Sequence, residues 1–389
     1  MSLLNRRAAL SQRHAPDRAA RVLGACIAFG SLSCAAVAAP LDALLSTEPA
    51  HVKALDSSFE LELGYDVAND RVDFLHLRPD GASSSTGDYY GRSLRGAWDV
   101  SPRLRVDGGL TKRRLVFKSF DADVTTWQVA AQYLVLGAEP KPYESPRQPQ
   151  LALRASAWGD SAPGFDRELN YKLQNNGKDY TFRSIHADKP RDTQLQFDVI
   201  GGWPVSANLH VNAIAGIGYS RVTVQGVSGQ VAYGNWLCDA QLTPSQVIAD
   251  CNNPKDGSTS GLKEPSNDNR FGVDINKEAR YHALTYQAGL NATWRSGDWI
   301  FRGGLLHVTH RRSDVEDVVR ARGGSPERSN QTLVLEAGYK PTPRSLVFLR
   351  GQMMTHQFLG ELPMTYNSVS AGQFDNRYGF LTLGVALAF

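Results

Sequence analysis

The sequence predicts an all-β chain, an antiparallel up-and-down transmembrane β-barrel of about 12 strands. Three observations predict it. About twelve segments alternate apolar and polar residues, each with roughly the ten residues a tilted membrane strand needs. Their connections alternate between tight turns and long polar loops, as in a barrel with short turns on one side of the membrane. Aromatic residues collect at alternate strand ends, where a barrel meets the membrane interface. With 389 residues, 35 Gly and a mean hydropathy of −0.33, a bundle of apolar membrane helices is excluded, whereas a barrel exposes only alternate residues to lipid.

The chain opens with Arg6, Arg7, Arg13, Arg18 and Arg21, followed by an uncharged, mostly apolar run from Val22 to Ala39. Small residues at Ala36-Val37-Ala38, with Pro40 just beyond, make residues 1–38 a secretory signal peptide. Its removal takes five Arg and one Asp and leaves 37 Lys+Arg against 38 Asp+Glu. The mature chain is then nearly neutral, which gives nucleic acid no basic surface to bind. Residues 39–57 mix Leu, Glu, His and Lys with a helical look and form a short periplasmic lead-in, too short to plug much.

Residues 58–389 carry the barrel. Its segments lie near 58–66, 88–99, 103–113, 124–136, 150–159, 193–203, 207–223, 279–294, 298–309, 330–340, 344–357 and 377–389. Tight turns follow at Val100-Ser101-Pro102, Pro204-Val205-Ser206, Arg295-Ser296-Gly297 and Pro341-Thr342-Pro343. A Pro-rich link at Ala138–Gln148 breaks the alternation of connection lengths. Long polar extracellular loops are expected at about 160–192 and 224–278. Trp98, Trp203, Trp294, Trp299, Tyr339 and Phe389 mark the inner interface. Cys26 and Cys34 leave with the signal peptide. Cys238 and Cys251 sit in a segment rich in Asn, Asp, Ser and Gly, where an exported chain most simply joins them in a disulfide. No His lies near either, so a metal site is not expected there.

The last segment sets Leu381, Leu383, Val385, Leu387 and Phe389 on one face and Phe380, Thr382, Gly384, Ala386 and Ala388 on the other. A terminal carboxylate on a buried aromatic is costly in a soluble fold, but not at a membrane interface. Tyr378, Leu383, Val385, Leu387 and Phe389 resemble the closing strand of bacterial outer-membrane β-barrels. That resemblance implies the outer membrane of a Gram-negative bacterium, recognition of the terminal Phe by the barrel-assembly machinery, and outer-membrane lipids and lipopolysaccharide as surroundings.

Alternation also names the inward face. Arg95, Arg105, Asp107, Arg113, Gln128, Arg154, Gln196, Asp198, Arg302, Glu336 and Arg350 fall on it, and none of these can face lipid. Six arginines against three acids predict a lumen that is net cationic by about three. A pore so lined favours anions, so the expected function is a porin-like channel for small solutes. The alternative is a lumen filled by cross-barrel ion pairs, in a barrel with a structural, surface or secretion-assembly role.

No motif for a nucleophile, metal or phosphate is present, and no cofactor is expected. His307 and His310, three apart on a strand, point to opposite faces. Asp66-Val67-Ala68-Asn69-Asp70 and Gly87-Asp88-Tyr89-Tyr90 are similar to the first two strands of lipid A 3′-O-deacylase barrels. That family places Thr or Ser where Tyr90 stands and also needs a catalytic histidine, which no residue here fills clearly, His186 lying in a loop. A lipid hydrolase is therefore carried as a second functional class.

Overall fold

The computed structural model describes residues 44–45, 58–68, 88–116, 121–138, 148–356, 359–368, 371 and 378–389. The chain runs through β1 (Phe59–Ala68), β2 (Asp88–Ser101), β3 (Leu104–Val116), β4 (Asp121–Leu136) and β5 (Gln150–Ser161). Then come β6 (Gly164–Asn175), β7 (Lys178–Asp188), β8 (Arg191–Pro204), β9 (Leu209–Thr223), β10 (Gly226–Tyr233), β11 (Trp236–Leu242), β12 (Gln246–Asn252) and β13 (Thr259–Pro265). It ends with α1 (Ile275–Glu278), β14 (Tyr281–Ser296), β15 (Trp299–Arg312), α2 (Val315–Ala321), β16 (Ser329–Thr342), β17 (Ser345–Met354) and β18 (Tyr378–Ala388). The proposed signal peptide, residues 69–87 and most of the Pro-rich link lie outside the described residues.

Strands β1–β5, β8, β9 and β14–β18 close a twelve-stranded antiparallel barrel. These are the twelve segments that period-two alternation marks. Closure is by β1 on β18, in register from Glu60 opposite Ala388 to Val67 opposite Leu381, and the Phe389 amide donates to the Phe59 carbonyl at 3.0 Å. The outward face is apolar, with Leu110, Leu195, Leu290, Leu305 and Leu383 all more than half exposed. In water such a surface would be a large liability, and in a bilayer it is the solvated face. Trp299 packs on Tyr339 at 5.0 Å, Trp294 on Phe301 at 5.4 Å, and Phe59 faces Phe389 at 6.2 Å, all at the end that carries the short turns. Those turns are closed by local chemistry. Ser101 Oγ accepts from the Leu104 amide, Ser206 Oγ from the Leu209 amide, and Gly297 supplies a φ of +60°.

The expected long polar loops are not loops. The insertions after β5 and β9 pair with one another into a six-stranded sheet ordered β13-β12-β11-β10-β7-β6. The reason is legible afterwards. Tyr180, Phe182, Ile185 and Ala187 of β7, Val227 and Val231 of β10, and Cys238, Ala240 and Leu242 of β11 are buried between polar neighbours. Six short strands build one apolar face only when paired across two distant insertions, and within one insertion the polar residues dominate. Cys238 and Cys251 stand opposite each other on β11 and β12 and form the disulfide, which joins two neighbouring strands of one sheet rather than closing a loop.

Candidate functional site in the lumen

Each residue expected on the inward face stands on that face. Arg154 holds Asp107 through two hydrogen bonds, 2.6 and 2.8 Å. Glu336 receives Arg350 at 2.7 Å and Arg302 at 3.2 Å, and Arg350 reaches Glu62 at 3.5 Å. Arg105 lies between Glu60 and Asp99, at 3.1 and 3.2 Å. Arg113 pairs with Asp160 at 3.6 Å and donates to Thr126 Oγ1, which in turn donates to Asp160. Arg95 adds its field at Asp107, and Gln128 lies beside Gly109 across the strand. Asp198 accepts from Gln196 at 2.8 Å and from Gln287 at 2.8 Å.

This corrects the expected cationic excess. Glu60, Glu62, Asp66, Asp99, Asp160 and Asp192 also face inward, and the salt bridges above place a carboxylate against Arg105, Arg113, Arg154, Arg302 and Arg350. Alternation assigns faces strand by strand, but β1 and the strand ends had not been divided, and the missing acids sit there. The wall is a chain of ion pairs rather than an arginine ring.

The lumen also holds residues from outside the wall strands. Leu44 and Leu45 are buried, Asn291 Nδ2 donates to the Leu44 carbonyl at 2.5 Å, and a Cβ at Gly304 would lie 2.8 Å from the Leu44 side chain. Leu44 and Leu45 therefore lie inside the barrel. The connection from β17 to β18 also folds inward instead of outward. Leu359, Leu362, Met364, Tyr366 and Ala371 are buried in it, and their apolar side chains join Ile214, Leu306, Phe380 and Leu44 in one continuous core.

That cap is pinned to the wall by single hydrogen bonds. Tyr281 donates to the Pro363 carbonyl at 2.5 Å, the Met364 amide to Asp192 at 3.0 Å, and Asn330 to the Leu359 carbonyl at 3.1 Å. The Arg312 guanidinium lies over the Tyr366 ring at 3.9 Å. Burial pushes the Tyr366 hydroxyl up to about 12, so the ring stays neutral. Glu278 joins the cap to α2, accepting from Ser368 at 2.9 Å and from Arg322 at 2.5 Å. Burial holds its carboxyl above the usual range in spite of the Arg322 charge.

The hydrolase constellation does not assemble among the described residues. His186 lies on β7, opposite Asp166 and Ser228 in the external sheet, not on the barrel wall beside β1 and β2. Asp66 is buried in the lumen and accepts from Thr382 at 2.6 Å, and Asn69 and Asp70 fall outside the described residues. His307 is exposed on the outer face and His310 is buried on the inner one. No cluster of three metal-ligating side chains occurs among the described residues.

Sequence reasoning did not single out Trp158, Asp160, Asp192 or the cap. One signal was available for Trp158. It continues the inward phase of Gln150, Ala152, Arg154 and Ser156, and a tryptophan on a polar lumen face has no bilayer reason to be there.

Fold and site define a membrane-spanning antiparallel barrel with a charged, ion-paired wall and an occluded lumen. No family model matches the chain, and no curated protein matches it in sequence. Among solved structures it is similar to the CymD monoaromatic hydrocarbon channel, at 12% identity over 89% of this chain and 92% of that one, with a TM-score of 0.37. It is similar to the translocator domain of the autotransporter NalP from Neisseria meningitidis, at 11% identity over 90% and 93%, with a TM-score of 0.42. The NanC porin gives 10% identity over 85% and 100%, with a TM-score of 0.38. These superpositions are loose, and what each of those proteins carries belongs to that protein.

Proposed function

We propose that this chain is an outer-membrane channel for small solutes, gated by the inward-folded cap whose described residues are 359–368 and 371. The observation that carries this reading is the contrast between wall and cap. The wall is a continuous ladder of backbone hydrogen bonds, whereas the described residues of the cap enter no sheet and are held by side-chain bonds and apolar contacts such as those described above. A segment of that kind can leave without breaking the barrel. Residues 1–38 serve as the export signal, the Phe389 strand presents the assembly signal, and the external sheet stands among lipopolysaccharide.

Anion preference was expected from six inward arginines against three acids. With a carboxylate against most of the inward arginines, we propose weak selectivity of either sign. The test is planar-bilayer current from the refolded mature protein in a salt gradient, beside a variant whose residues 357–371 are replaced by a short Gly-Ser link. Rare openings that become steady in the shortened chain, with a reversal potential near zero, are the expected result. Silence from both folded proteins would refute the channel and favour a filled structural barrel.

A further inference from the structure

The outward phase of β8, β9, β14 and β15 carries its charge at one end. From the short turns up to Thr193, Tyr219, Leu284 and Thr309, no Asp, Glu, Lys or Arg occupies it, and Leu195, Ile217, Leu284 and Leu305 lie exposed along it. At the far end it turns basic. Arg191 stands there on β8, Arg221 on β9, His282 on β14 and Arg311 on β15, all exposed. No Asp or Glu shares that phase anywhere on the four strands.

The register gathers these residues. Arg221 stands directly across from His282, and Arg311 directly across from Leu284, the next outward residue on the same strand as His282. The Tyr219 hydroxyl meets His282 Nδ1 at 2.5 Å, Arg191 Nε donates to Thr223 Oγ1 at 3.2 Å, and the Arg311 guanidinium lies over the Tyr286 ring at 5.8 Å. None of these three arginines has a carboxylate partner among the described residues. The lumen of the same barrel treats its arginines differently. Arg105, Arg113, Arg154, Arg302 and Arg350 each face a carboxylate. Neighbouring cations on one sheet face repel one another, so the outward cluster is favourable only where an anion comes from outside the chain.

Its position selects that anion. Directly below the arginines runs the apolar band that faces acyl chains, so a ligand that touches both has an anionic head and a hydrocarbon body. The guanidinium fork matches phosphate oxygens two at a time. Four adjacent strands span three inter-strand spacings, roughly 14 Å, which is wider than one phosphate group. The other end of the same strands presents Trp203, Trp294 and Trp299 and no cation on that phase, so the two leaflets meet different chemistry.

We propose that Arg191, Arg221, His282 and Arg311 form a docking surface for an outer-leaflet lipid whose head carries more than one phosphate, with its acyl chains lying over Leu195, Ile217 and Leu284. The proposal rests on the outer-membrane placement in the preceding reading and not on its channel. The test is native mass spectrometry of the refolded protein in neutral detergent, titrated separately with diphosphorylated lipid A, its monophosphorylated form, phosphatidylglycerol and phosphatidylcholine. Inorganic phosphate serves as competitor, and heat-modifiable electrophoretic mobility shows which samples are folded. The diphosphorylated lipid should be retained at the lowest concentration and should resist inorganic phosphate. Arg221→Gln and Arg311→Gln should each weaken retention about five-fold, and the double variant about twenty-five-fold. Lys263→Gln, which removes the same charge from an exposed position on β13, should leave retention unchanged.

Equal retention by wild type and the folded double variant would overturn the proposal. So would an equal loss in Lys263→Gln, or phosphatidylcholine or a one-phosphate lipid held as tightly. Displacement by inorganic phosphate would do the same, since the surface would then hold an ion only. Retention without current would keep this surface and discard the channel, whereas current without retention would do the reverse.

Discussion

Gly360 is the most informative single position in the cap. Its φ is +85°, where a side chain costs about 1–2 kcal/mol. A Cβ there would lie 1.9 Å from His310 Nε2 and 2.3 Å from Cε1. The imidazole has little freedom to move away, because it is buried and tied to Thr285 at 3.2 Å. Forcing a methyl into such a contact costs about 1–3 kcal/mol more. Gly360→Ala therefore weakens cap docking by about 3 kcal/mol, a shift of about a hundred-fold, which would take a cap open about 1% of the time to one open about half the time.

Single-channel recording reads this as a rise in open probability at unchanged unit conductance, because the wall is untouched. Gly257→Ala is the control. That glycine also has a positive φ, +75°, but open space where the Cβ would be, and it lies in the external sheet. An open probability that is the same in Gly360→Ala as in wild type, together with unchanged proteolysis of the cap in detergent, would refute the idea that this segment closes the lumen.

Three further outcomes concern the cap, the wall and the external sheet in turn. The raised carboxyl of Glu278 means that the docked form binds its proton more tightly than the free form does. Docking is therefore strongest in acid and weakens as pH rises from the ordinary carboxylate range through the raised value, so cap proteolysis should be slower at low pH. Glu278→Gln should flatten that profile, and a profile that runs the other way would discard the assignment. Arg154→Ala strands the carboxylate of Asp107 inside the wall and should destabilise the barrel by about 3 kcal/mol, with Asp107→Asn in the same chain recovering much of the loss in denaturant titrations. Reducing the Cys238–Cys251 bridge, which spans 13 residues, should loosen the external sheet by about 3 kcal/mol while leaving barrel mobility on gels unchanged.

The barrel was legible because lipid imposes a rule that every spanning strand obeys. A strand with Leu195, Phe197 and Val199 outward cannot have Gln194, Gln196 and Asp198 anywhere but inward, so faces could be assigned without knowing neighbours. The external sheet obeys no such rule. Val247 and Ala249 of β12 are fully buried, but what buries them is a face shared by strands from two insertions, separated by the β8–β9 hairpin. Nothing within about ten residues of either announces that partner. The ion pairs were half legible for a related reason. Arg154 could be placed inward from its own strand, but its partner Asp107 lies two strands away, and a charge count by strand sees both residues without seeing the bond.

The cap is the part alternation cannot reach at all, and its sequence explains why it folds inward. Every residue from Glu361 to Ser368 is buried, polar and apolar alike, so the stretch does not extend β17 and β18 as a hairpin with one wet face. Left outside, Leu359, Leu362, Met364 and Tyr366 would be an apolar patch in water. The barrel mouth offers Val222, Ala283, Leu306 and Phe380 as apolar neighbours, and Asp192, Tyr281 and Asn330 as partners for exactly the backbone groups that an unpaired segment leaves open. The same contacts set the limit on their strength. Each neutral hydrogen bond contributes about 1 kcal/mol net, and ordering the segment opposes them at about 1–2 kcal/mol per residue, so the balance is small. A plug held by so small a balance would be permanent only if it were also threaded into the ladder, and its described residues are not. The occlusion of the lumen is thus set by a segment whose docking lies within reach of a single methyl group, whereas the wall it covers is fixed by twelve strands.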